Sequence, residues 1–157
     1  IKDEWIAQRD LNLFYWAGEP ELVEGMKAGD VWLAYAWQGA YALLLGEGVP
    51  VAYANPKEGR NSWVGVYGIR KGTENYDLAL KFLDAKLAEA TGNNVVNLFY
   101  YGHTNQDVMN SIEDETLKQA FSVDDSEILE KTNFTPNLTA DQLEAWPAMW
   151  VEVKAAP

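Results

Sequence analysis

A chain of 157 residues is long enough for one domain with a real core, and 48% hydrophobic against 23% charged residues is ordinary for a soluble globular protein. The net charge of −12 argues against a nucleic-acid or anionic-membrane surface, since both need clustered Lys and Arg. The absence of cysteine excludes structural disulfides, thiolate catalysis and Cys-ligated metals.

The chain opens "IKDEWIAQRD", charged and without an initiator Met, and this opening reads as the interior of a longer or processed chain. No apolar run reaches the length of a membrane span. "LNLFY", from Leu11 to Tyr15, reads as a short strand, and Pro20 after the "GEP" turn suits a helix start. "ELVEGMKAG" predicts a short helix ending at Gly29. "VWLAYAW" is apolar on both faces and predicts a covered strand. "QGAYALLLGEG" predicts a helix closed by Gly46 or Gly48. "VPVAYA" reads as a strand, "NPKEGRN" as a loop, and Trp63 to Ile69 as a strand of period two.

From Asn75 the texture becomes helical. Leu78, Ala79, Phe82, Leu83, Leu87 and Ala90 form one stripe of a helix predicted to end at Gly92. "NNVVNLFYY" predicts a second helix broken at "YGHTN", and three short capped helices follow in "NQDVMNSI", "DETLKQAF" and "DSEILEK". Asp124 and Asp125 before Ser126 and Glu127 read as an acidic helix start rather than a calcium loop. A last helix starts at Thr139 and is expected to bury Leu143, Trp146, Trp150 and Val153, with Pro147 kinking or dividing it. Strands alternating with helices, then a helical tail, predict an α/β or α+β architecture, with α/β the class expected: a short sheet flanked by helices, with a helical C-terminal tail.

The chemistry of common enzymes is absent from the sequence. One histidine, His103, has no partners at metal-ligand spacing, and there is no G-x-S-x-G elbow, P-loop or G-x-G-x-x-G. Asn133 and Asn137 match the glycosylation sequon, which matters only in a eukaryotic secretory chain. The expectation is therefore no enzyme, no cofactor, no metal and no catalytic residue. A hydrolase using His103 is a distant rival.

Seven Trp, eight Tyr and five Phe are the unusual feature. Three segments place an aromatic beside a small residue at an element end: "AWQGA" with Trp37, "NSWVG" with Trp63 and "YYGHTN" with Tyr101. A ring face beside glycine can stack on apolar stems or take a cation. Core packing is the alternative for each ring taken singly.

"LFYWAGEPELVEGMKAGDVWLAYAWQGAYALLLGEGVPVAYANPKEGRNSWVGVYGIRKGTENYDLALKFLDAKL" resembles the second half of bacterial periplasmic solute-binding proteins, in particular the spermidine/putrescine-binding proteins of ABC importers. The likeness covers Leu11 to Ser111, and "EAWPAMWVEVKA" is similar to the family's closing helix. It implies a fragment of the two-lobed type II periplasmic binding fold. In that arrangement residues 1–62 are second-lobe, 63–125 return to the first lobe, and 126–157 form C-terminal helices back on the second lobe. The family's ligand residues correspond to Trp37, Trp63, Tyr101 and Asn105. Acids found in relatives two residues after the second Trp and three after the first are Gly65 and Ala40 here, so those carboxylates are missing. The resemblance implies a periplasmic or membrane-associated, extracytoplasmic binder of a small organic solute, polyamine-like in class, that delivers it to the permease of an ABC importer by hinge closure. The rival expectation is a ligand-free interaction module whose aromatics are core or dimer interface, with self-association of the chain.

Overall fold

The computed structural model of the chain describes residues 1–122 and 125–156. The helices in chain order are α1 Lys2–Arg9, α2 Glu19–Lys27, α3 Gln38–Gly46, α4 Tyr76–Leu87, α5 Glu89–Phe99, α6 Gln106–Asn110, α7 Glu115–Phe121, α8 Ser126–Glu130 and α9 Ala140–Ala155. Two strands of two residues each, β1 Asn61–Ser62 and β2 Asn133–Phe134, pair in parallel. The chain is thus mostly helical with one small parallel sheet among the described residues, which is compatible with an α/β fragment.

The helices form where local signals are strong. Pro20 sits in the first turn of α2, where its missing N–H costs nothing, and Gly29 follows the helix at φ +79°. α3 ends at Gly46, with Gly48 at φ +78° just beyond. Asn105, Asp114 and Asp125 accept the first free backbone N–H groups of α6, α7 and α8. Asp124 lies outside the described residues. Thr139 and Gln142 close a reciprocal capping box on α9.

The four expected strands do not form. Residues 11–15, 31–37, 49–54 and 63–69 take no regular secondary structure. A strand needs a neighbour whose N–H and C=O groups line up with its own, and among the described residues none runs beside these segments. Their side chains show the same lack: Trp32, Leu33, Tyr35, Val64, Val66 and Tyr67 are exposed rather than covered. The inward sides of 31–36 and 49–51 nevertheless pack. Val31, Ala34, Ala36, Val49 and Val51 lie against Leu22, Val23, Ala40 and Leu44, the buried cluster between α2 and α3.

A second cluster of Val96, Val108, Ile112 and Leu117 joins α5, α6 and α7. α3 packs on α2 and on α7, the helix that carries Leu117 of the second cluster. α1, which no sequence signal singled out, lies along α9. Trp5 and Tyr15 meet Trp150 edge-on at 5.3 and 4.8 Å, and Lys2 bridges to Glu152 at 2.8 Å. Arg9 also donates to the carbonyl of Ala156.

Three expectations for the helical half need correction. The helix from Asn75 ends at Leu87, because Ala88 turns out at φ −62°, ψ 144° and starts α5 directly. Gly92 is therefore inside α5 and buried, at a close approach to α6. The apolar stripe of α4 is not covered: Leu78, Phe82 and Leu87 are exposed, and α5 is its main neighbour. On α9, Val153 is buried and Trp150 half-buried, but Leu143 and Trp146 are exposed because α1 covers only the end of α9 that carries Trp150 and Glu152. Pro147 lies within this one helix and does not divide it.

A methyl group at Gly92 would sit 2.5 Å from Cγ2 of Val108 and 3.0 Å from Nδ1 of His103. Gly92→Ala gains helix propensity but forces α5 and α6 apart, and a net loss of about 1–2 kcal/mol is expected, read as a lowered midpoint in thermal unfolding. An unchanged or raised midpoint would contradict this packing.

Candidate functional site

Trp37 ends the irregular segment 31–37 and is the N-cap of α3, at φ −70°, ψ 154°. Trp63 follows β1 directly, so the pairing of β1 with β2 sets where it emerges. Tyr101 follows Tyr100, which closes α5 in the left-handed region at φ 54°. Gln38 Nε2 donates to the carbonyl of Tyr100 at 3.0 Å and ties the start of α3 to that turn.

These links bring three rings from three separate segments together. Trp63 is central: its ring lies 6.4 Å from Trp37 at 82° and 5.2 Å from Tyr101 at 89°. Both contacts are edge-to-face, the arrangement that ring quadrupoles favour. Trp37, Trp63 and Tyr101 keep 42, 44 and 39% of their surfaces exposed, so these rings are not core. A cluster of this kind can cover an alkyl chain and attract a cation to a ring face.

Asn105 has a different neighbourhood. Its Nδ2 donates to the carbonyl of Leu87 at 3.0 Å, and its Oδ1 accepts from the N–H of Asp107 at 3.0 Å. Both ends of the amide are used to fix the turn before α6. His103 belongs to the same turn. Its Nδ1 accepts from the N–H of Asn105, and its Nε2 lies 3.1 Å from the carbonyl of Lys86, which sets the Nε2–H tautomer. The ring therefore links its own turn to the end of α4 and has no lone pair left for a hydrolase base.

The two positions where relatives carry acids are explained by packing. A side chain at Gly65 would meet Cζ3 of Trp63 at 3.1 Å, so the bare glycine lets the indole fold back over its own chain. Ala40 is 1% exposed within the apolar cluster beneath α3, and a carboxylate there would be buried without a partner.

A separate open cavity of about 480 Å³ lies between Tyr53, Arg60 and α7. None of the three clustered rings lines it. Tyr41 and Tyr53 stack at 5.4 Å, the Arg60 guanidinium caps Tyr53 at 4.1 Å, and its Nη1 donates to Ser122. Among the described residues no group of His, Asp and Glu is placed to hold a metal ion, and no helix is long and apolar enough to cross a membrane.

The sequence has a named relative. Over 89% of its length the chain is 24% identical to a putrescine/cadaverine-binding protein of Pseudomonas aeruginosa, strain PAO1. The chain spans 42% of that relative's length. The relationship to a polyamine-binding protein is thus distant, and it is with a binding protein rather than an enzyme. No family model and no solved structure matches the chain.

Burial pushes the Tyr53 hydroxyl above the ordinary tyrosine pKa, with Arg60 partly opposing the shift. The fold thus favours the neutral phenol. The stability it lends is complete below the ordinary value and is lost as pH climbs through the raised one. Spectrophotometric titration of tyrosinate should show a late component that Tyr53→Phe removes; a titration curve whose late part survives the substitution would refute this environment for Tyr53.

Proposed function

We propose that the chain is part of a solute-binding protein that captures a small organic, amine-bearing, polyamine-like molecule outside the cytoplasm. It hands this solute to the membrane permease of an ABC importer and performs no catalysis. In this reading residues 1–62 and 126–157 belong to a second lobe and 63–125 return to a first, together a fragment of the two-lobed type II binding fold. The observation that carries the reading is the meeting of the half-exposed rings of Trp37, Trp63 and Tyr101. The distant relative named for binding two diamines supports the ligand class. The mechanism is closure of the lobes around solute, driven by contacts made only in the closed form. The rings supply apolar cover for a methylene chain and attraction for its charged ends, and Asn105 stabilises the turn that carries Tyr101.

Trp37→Ala should weaken binding of 1,4-diaminobutane by about 1–3 kcal/mol in calorimetry, because it removes one wall of the cluster. An affinity equal to that of the parent chain would remove Trp37 from the site.

A second reading is favoured by one observation. The chain exposes 12,036 Å², against about 7,900 Å² for a compact protein of its mass. Much of the excess is apolar, including Trp32, Leu33, Val66 and the α4 stripe. In that reading the chain is an interaction or dimerisation module and the rings are interface. Size-exclusion chromatography with light scattering separates the two. The solute-binding reading expects a monomer whose tryptophan fluorescence responds to 1,4-diaminobutane. A dimer that is silent to the diamine would establish the module instead.

A further inference from the structure

The open cavity beside α7 is separate from the ring cluster, and its chemistry is different. Four charged side chains contribute to its lining: Arg60, Glu115, Lys118 and Asp125. Lys118 pairs with Glu115 at 2.8 Å, and the Asp125 carboxylate accepts the first free N–H groups of α8. Arg60 forms no ion pair among the described residues. Its guanidinium rests on the Tyr53 ring, 4.1 Å from the centroid, and Nη1 donates to the Ser122 hydroxyl at 3.1 Å. Among the described residues the buried Nε has no acceptor, and Nη2 makes no hydrogen bond. In a guanidinium these two N–H groups lie side by side and form a planar fork that matches the two oxygens of a carboxylate. A buried N–H without an acceptor is costly, and on an unpaired cation an anion relieves that cost better than a neutral group does.

We infer that this cavity is a ligand site of its own, in which Arg60 receives the carboxylate of a small organic monoacid. Its volume of about 480 Å³ suits such a solute, and Tyr41 and Ile128 in the lining give a short carbon stem apolar contact. Asp125 in the same lining disfavours a second negative charge on the ligand, as does the net charge of −12. The site stands whether or not the ring cluster binds an amine.

Calorimetric titration of this chain at constant ionic strength with propanoate, with the uncharged propanamide and with inorganic phosphate tests it. Propanoate should bind saturably, and propanamide roughly tenfold or more weakly. Arg60→Lys keeps the charge and removes the fork, and Arg60→Gln removes both. Each should lose roughly tenfold or more in propanoate affinity, with circular dichroism showing the variants folded. The parent chain offers a second readout. Arg60 opposes the rise in the Tyr53 pKa, so a carboxylate on Arg60 should move the late tyrosinate component to still higher pH. No saturable heat from propanoate, an equal affinity for propanamide, or parental propanoate affinity in both variants would overturn the site. Tighter binding of phosphate than of propanoate would overturn the ligand class. Should neither variant fold, a late tyrosinate component that saturating propanoate leaves in place would overturn the role of Arg60.

Discussion

The packing of α3 against two neighbours is the contact on which the rest depends. Its Ala40 and Leu44 close the cluster with α2, while another side of the same helix lies on α7. Nine residues of helix thus pack on α2 of the first cluster and on α7, which carries Leu117 of the second. Each cluster is small, and burial at roughly 25 cal/mol per Å² gives a small cluster little margin. The bond from Gln38 to the carbonyl of Tyr100 extends this joint to the turn before Tyr101. The positions of Trp37 and Tyr101 are therefore set by one helix start and not by two independent loops.

Two glycines make room for neighbouring side chains. At Gly65 the missing side chain gives space to the Trp63 indole, and at Gly39 it gives space to the Glu19 carboxylate. Restoring an acid at position 65 would press on the ring that it was meant to assist.

The helices were legible where the sequence held both a period and an end signal. Pro20 and Gly29 bracket α2, Gly46 and Gly48 follow α3, and Asn105, Asp114 and Thr139 begin α6, α7 and α9. The strands were not legible in the same sense. "VWLAYA" has the composition of a covered strand, but composition cannot provide a neighbour, and Trp32 and Leu33 stand in solvent. Gly92 misled because a glycine near a helix end signals termination, whereas here it marks where α5 meets Val108. The meeting of Trp37, Trp63 and Tyr101 was readable from aromatics beside small residues at element ends.

The pairing of β1 with β2 has a consequence for the order of assembly. Ser62 and Thr135, joined across it, are 73 residues apart. Closing a loop of that length costs about 4 kcal/mol of chain entropy, and two paired residues return little of it. Such a contact waits until the local helices and their turns have formed. Trp63 emerges at this seam, so the central ring of the cluster is held in place by distant parts of the chain rather than by its neighbours in sequence.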